Sequence, residues 1–248
     1  MRGQAKDDPH YAVAAEYADS SVVRVSMDYC FFTEDAQATE TDREDSTKST
    51  VSMTVMLMVE SLFRSMWAYT VQRKGATDEW LAEQITDDFE TIGLAGERLI
   101  IKANQETAIT DVQRAVAAAR SKFGTAIEQA RVGDSNSNGR VERAIQDFKG
   151  PTRTLRSALE AKIGIKIRLE DPIVPSMIRH AAQIMNVCRV REDGQTSWQR
   201  MTGRKFCGRL VPFAEIVMFK IQKNEVPHGL VRGQVGTWML GGHRSPVR

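Results

Sequence analysis

Three polar side chains stand where apolar segments end or turn: Asp28 within SVVRVSMDYCFF, Asn104 directly after RLIIKA, and Glu142 just past SNSNG. Carboxylates brought from strand ends and from a facing helix can converge on hard divalent cations, which prefer oxygen donors. Two such cations a few ångströms apart activate an attacking oxygen and stabilise a leaving one, which is the chemistry of phosphodiester transfer. Asn104 offers a neutral carbonyl oxygen where an aspartate would offer an anion, so it attracts a cation less strongly. Acids occur all along the chain, and spacing alone leaves open an unrelated α/β domain with solvated acids.

The elements that must position this trio can be read from periodicity. Residues 21–32 alternate and are rich in β-branched and aromatic groups, which predicts a strand carrying Asp28. The acidic run 33–50 reads as a surface loop. Residues 51–72 have a membrane-spanning length, but Glu60 and Arg64 near the middle would each cost roughly 2.5–3.5 kcal/mol in hydrocarbon. Two buried strands, broken near those residues, are the better reading, with no membrane partner. Thr77-Asp78-Glu79 is a helix start for Leu81, Ile85, Phe89 and Ile92, and Gly93 is its stop.

RLIIKA (98–103) predicts a short strand ending at Asn104. Thr107 opens a helix with Ile109, Val112, Val116 and Ala119 on one face, and TAIEQARV reads as a further strand. DSNSNG is a turn feeding a helix from about Arg140, striped by Val141, Ile145 and Phe148. Gly150-Pro151 should break or kink it, with further helices over 152–163 and 175–188. Beyond Arg189 the runs 211–221 and 234–240 look β-like. This order predicts a mixed α/β layer protein with a small β-rich appendage.

Composition is that of an ordinary globular chain: 248 residues, 42% hydrophobic, 27% charged, and 34 Lys+Arg against 32 Asp+Glu. The near-balance hides a split, because residues 1–142 sum to −9 and residues 143–248 to +11. A basic second half suits a polyanion, whose counterions it would displace. Cys30, Cys188 and Cys207 are far apart and the four histidines have no cysteine pairs at ligand spacing. That argues against a disulfide framework or a zinc module. Cys30 shares a strand face with Asp28, as a small buried hydrophobe or a neighbour of the site. Trp67, Trp80, Trp198 and Trp238 read as core or rim anchors.

VSMDYCFF, LIIKANQETAITDVQRAV and DSNSNGRVERAIQDFKGPTRTLRSALE, in that order, resemble the integrase core of copia-type LTR retrotransposon polyproteins. DGQTSWQRMTGRK further on resembles the family's tail motif leading into a small β domain. The resemblance covers about residues 20–245 and implies an RNase H-like mixed sheet flanked by helices, with a C-terminal SH3-like segment. It divides the chain into an N-terminal tail (1–20), the core (21–190) and the β-rich segment (191–248).

The resemblance further implies DNA as partner, Mg²⁺ or Mn²⁺ as cofactor, 3′-end processing and strand transfer as reactions, a homo-oligomer, and a nuclear setting. Asp28, Asn104 and Glu142 would be the catalytic, metal-holding positions, and Gln146, Lys149 and Arg153 would touch DNA, with Arg156 on the same basic face. Two departures stand out. Ala-Asn-Gln-Glu replaces the family's Asp-Gln-Glu, so Asn104 occupies the second acidic position; Pro151 interrupts a helix the family keeps continuous. The first favours the rival reading, a catalytically inactive DNA-binding or host-adopted remnant.

Overall fold

The computed structural model describes residues 22–34, 52–76, 79–130, 138–208 and 210–215. Strands β1 (Val23–Thr33), β2 (Ser52–Glu60) and β3 (Met66–Val71) come first. Helix α1 (Glu79–Thr91), strand β4 (Leu99–Ala103), helix α2 (Thr107–Ala119) and strand β5 (Thr125–Gln129) follow. Helices α3 (Gly139–Ile163), α4 (Ile173–Cys188) and α5 (Ser197–Thr202) complete the described part. The five strands form one sheet in the order β3-β2-β1-β4-β5. The β1–β2 and β2–β3 pairs are antiparallel, whereas β1–β4 and β4–β5 are parallel. The expected mixed sheet with helices on both faces is present.

Alternation along β1 builds two cores. Val25, Met27 and Tyr29 pack with Met56 and Met58 of β2 beneath α1 and α2, against Ile85, Phe89, Ile109 and Val116. Cys30 and Phe32 pack with Val55 and Leu57 beneath α3 and α4, against Val141, Phe148, Met177 and Ala181. Cys30 is 1% exposed, so it is a core residue. Since successive strand side chains alternate, Asp28 shares the face of Cys30 and Phe32, the face that α3 covers.

Several expectations need correction. Pro151 does not divide the helix, because α3 runs unbroken from Gly139 to Ile163 with the proline inside it. Proline in a helix interior costs about 3 kcal/mol, and burial on both sides opposes this: Phe148 and Thr152 are in the core, and Leu159 follows. Past Arg189 the described chain forms α5, and residues 211–215 are turn and irregular where a strand was expected. Phe213 there packs into the α3–α4 core, its ring 5.1 Å from that of the buried His180. The expected tail over 1–20, most of the acidic loop, the Thr77-Asp78 helix start and the runs beyond Glu215 lie outside the described residues.

Candidate functional site

Parallel pairing of β1 with β4 brings the first two positions together. The register joins Val25 to Ile101 and Ser26 to Lys102; two residues further along both strands, Asp28 and Asn104 are neighbours. The Asn104 amide Nδ2–H donates to Asp28 Oδ1 at 3.1 Å. The same carboxylate oxygen accepts the Tyr29 backbone N–H at 2.8 Å. Asn104 Oδ1 faces the other way and accepts the backbone N–H of Glu106 at 3.2 Å, just ahead of α2. Both ends of the amide are therefore assigned by partners of opposite polarity. Reversing it would set oxygen against carboxylate and NH₂ against an N–H.

The third position arrives on α3. Asn138, at the start of that helix, donates Nδ2–H to the Met27 carbonyl at 3.4 Å and so ties the helix to β1 beside Asp28. Glu142 follows in the first turn, exposed, where a carboxylate suits the positive end of the helix dipole. Burial pushes the Asp28 carboxyl up to about 6, against the Tyr29 N–H, and the charges of Glu142 and Glu106 push in the same direction. The Glu142 charge thus acts on Asp28.

Lys74 is a member of this site that the sequence reading missed. It lies in the segment after β3, and its ammonium pairs with Glu106 at 2.7 Å. It also sits 5.2 Å from the Tyr29 ring centre and 5.1 Å from that of Phe31, and its charge favours ionised Asp28. The Tyr29 hydroxyl in turn accepts the Gly75 N–H at 2.9 Å, anchoring this segment over β1. Nothing in the local sequence marks Lys74, because the chain reaches the site only by folding across the sheet.

Gln146, Lys149 and Arg153 succeed Glu142 along α3 at helical spacing; Gln146 and Arg153 are exposed and Lys149 is half-buried. Arg156 is different. Its Nε binds Glu160 at 3.2 Å and its Nη2 donates to the Ile167 carbonyl, so it holds the turn after α3.

Asp28, Glu142 and an amide that presents N–H toward Asp28 do not fit a two-cation set. Among the described residues no group of three His, Cys, Asp or Glu is placed to hold a metal ion. The amide proton occupies space and a lone pair that a bridging cation would need, and the amide carbonyl is engaged with Glu106.

No family model and no curated protein matches this chain. Similar solved structures include the HTLV-2 integrase catalytic core domain in complex with magnesium, at 14% identity and TM-score 0.44, covering 72% of this chain and 95% of that one. The catalytic core domain of BIV integrase matches at 14% identity and TM-score 0.48, covering 73% of this chain and 93% of that one. The simian T-cell lymphotropic virus intasome in complex with the PP2A regulatory subunit B56 gamma matches at 14% identity and TM-score 0.46, covering 80% and 60%.

Proposed function

We propose that this chain is a DNA-binding core of integrase type, of copia-like retroelement descent, in which strand-transfer chemistry is suppressed at Asn104. The observation that carries the reading is the hydrogen bond from Asn104, just past the end of β4, to Asp28 within the adjoining parallel β1, with the Glu142 charge acting on Asp28. The positions match the integrase-like motifs quoted above, and the donor chemistry at one of them does not. An amide N–H stabilises the Asp28 carboxylate in the way a cation otherwise would, without supplying a reactive water or a leaving-group acid. The remaining carboxylates are too few to hold two cations and offset their charge.

DNA would lie along α3, with Gln146, Lys149 and Arg153 placed toward phosphate and sugar. Assembly as a homo-oligomer and action in the nucleus belong to the same proposal and follow from the integrase resemblance. The test uses labelled duplex oligonucleotides with Mg²⁺ or Mn²⁺ present. Duplex binding that weakens steeply with salt, without strand-transfer product, is expected. Robust strand transfer by the unaltered chain would overturn the suppression, and absence of any duplex binding would overturn the whole reading.

A further inference from the structure

Strand β3 lies at one edge of the described sheet, and its first residue shows what the open side accepts. The Met66 N–H donates to Asn186 Oδ1 at 2.8 Å, and Asn186 Nδ2–H donates to the Met66 carbonyl at 2.8 Å. A side-chain amide of α4 thus makes the two bonds that a residue of an added antiparallel strand would make. Backbone direction alternates along a strand, so Ala68 and Thr70 turn their N–H and C=O the same way as Met66, while Trp67 and Tyr69 face β2. Neither Ala68 nor Thr70 has a hydrogen-bond partner on that side among the described residues. They are two consecutive open rungs of a β-ladder.

Both rungs border cavities. Ala68 lines one of about 460 Å³ with Trp67, Trp198, Met201 and Phe206. Thr70 lines another, of about 650 Å³, with Trp80, Leu169 and Pro175. Volumes of that order hold ligand groups. The aromatic wall beside Ala68 is supplied by the DGQTSWQRMTGRK motif and its neighbour Phe206, which take no part in the Asp28 site. Thr196 and Gln199 cap α5 reciprocally. The Arg64 carbonyl, in the β2–β3 turn, accepts Arg191 Nη2–H at 2.9 Å and Ser197 Oγ–H at 2.8 Å, which clasps the motif to the sheet. That turn is built on Glu60, 0% exposed, whose carboxylate accepts the backbone N–H groups of Leu62, Phe63 and Ser65, the last two at 2.9 and 2.7 Å. Trp198 then stands edge-on to Phe206, ring centres 5.3 Å apart.

The opposite wall, α1, is acidic. It carries Glu79, Glu83, Asp87, Asp88 and Glu90 and no lysine or arginine. Asp88 is buried; it accepts the Tyr69 hydroxyl at 2.6 Å and pairs with Arg179 of α4 at 3.5 Å. Arg179 also donates to Gln84 at 3.1 Å, so that cation is committed. Glu79, Glu83, Asp87 and Glu90 are exposed and form no ion pair among the described residues. Burial first, then Asp88 and, more weakly, Asp87 disfavour the Tyr69 phenolate, which sets Asp87 near the β3 edge. The cavity beside Thr70 has one charge of each sign, Arg73 and Glu170. Negative charge is therefore uncompensated along the α1 lip.

We infer that the open edge of β3 is a docking site for an extended peptide, basic and apolar in alternation, added as a sixth strand. Main-chain bonds at Ala68 and Thr70 hold any strand, and the cavities and acids select its side chains. Apolar groups fill the spaces beside Trp198 and Trp80, and lysine or arginine meets Asp87 and Glu83. The site is separate from Asp28, because β2 stands between β3 and β1, and it does not depend on the DNA-binding reading.

The test is fluorescence anisotropy of a fluorescein-labelled peptide, lysine alternating with valine and leucine, titrated with the full chain. Saturable binding is expected. Two isomers, N-methylated on one or the other alternate set of amides, keep every charge and side chain, and at least one should lose binding because an added strand donates to β3 from a single edge. Asp87→Lys combined with Glu83→Lys should weaken binding several-fold with Tm unchanged, since both side chains are exposed. Trp198→Ala should weaken it as well, and where that variant lowers Tm the methylated isomers decide. Absence of saturable binding would overturn the site. Equal binding by both isomers and the parent peptide would overturn strand addition, and unchanged affinity in the double-lysine variant would overturn the basic character of the partner. Self-association of the free chain in sedimentation velocity, competed away by the peptide, would give the edge to a second copy and overturn the peptide assignment.

Discussion

Replacing Asn104 by aspartate is the most direct probe of the site, and its cost can be worked from the geometry. The substitution removes an amide N–H that donates to Asp28 at 3.1 Å. A hydrogen bond to a charged group is worth about 1.5–3 kcal/mol. Two carboxylates at that separation would repel by about 5 kcal/mol at an effective dielectric of 20, from the 3.1 Å spacing. The pair avoids this by taking up a proton. With the Asp28 carboxyl at about 6, protonation at pH 7 costs about 1.4 kcal/mol.

The apo variant should therefore lose about 3 kcal/mol, a fall in Tm of about 6–12 °C for a chain of this size. Divalent cation should return it, since a ligand at 100 times its Kd adds about 2.7 kcal/mol. The assay is thermal unfolding of wild type and Asn104→Asp in EDTA and over a Mn²⁺ series, followed by strand transfer on oligonucleotides. A metal-dependent rise in Tm in the variant alone, with some strand-transfer product, is expected. An equal Mn²⁺ shift in the wild type would refute the claim that the amide displaces the cation. A variant indifferent to both EDTA and Mn²⁺ would refute the placement of residue 104 at the metal position.

Further expectations concern stability. Because burial first, and then Glu142 and Glu106, raise the Asp28 pKa from 3.8 to about 6, the folded state holds more protons than the unfolded one between those values. Stability should accordingly fall as pH rises from about 4 to 6, by at most about 3 kcal/mol, a slope that urea unfolding should show in wild type and lose in Asp28→Asn. Arg120, 1% exposed, donates to the Leu94 and Glu97 carbonyls at 3.1 and 2.8 Å and lies under the Phe89 ring. Arg120→Ala should cost about 3 kcal/mol by urea unfolding, from a cavity and two orphaned carbonyls. Pro151→Ala should raise the unfolding free energy by about 1–3 kcal/mol, read as a higher urea midpoint, since it restores an N–H to the interior of α3.

Local pattern carried much of the fold. The alternation of SVVRVSMDYCFF describes β1 with Asp28 on the face opposite Met27, and RLIIKA matches β4 with Asn104 just past its end. Leu81, Ile85 and Phe89 at helical spacing mark α1, and SNSNG announces the start of α3 one residue from where the helix begins. Pro151 misled for a physical reason: its local penalty is real, but a helix with buried residues on either side gains more from remaining whole than from breaking. At 211–215, the described part of the 211–221 run, the pattern misled similarly: apolar residues there record burial as much as strand geometry, and Phe213 buries itself against α3 and α4 without a strand.

What the sequence by itself determined is the inventory and the local geometry: which residues lie on strands, which face each occupies, and that an amide, Asn104, directly follows β4. Only the tertiary structure decided how that amide behaves. The parallel β1–β4 register sets Asn104 beside Asp28, and the Glu106 N–H fixes which end of the amide faces the carboxylate. Lys74, Arg120, Glu60 and Arg64 likewise acquired their roles from partners in other elements or in the turn they share. Periodicity is a property of neighbours a few residues apart, whereas charge pairing, burial and hydrogen-bond direction depend on groups the chain brings together across tens of residues.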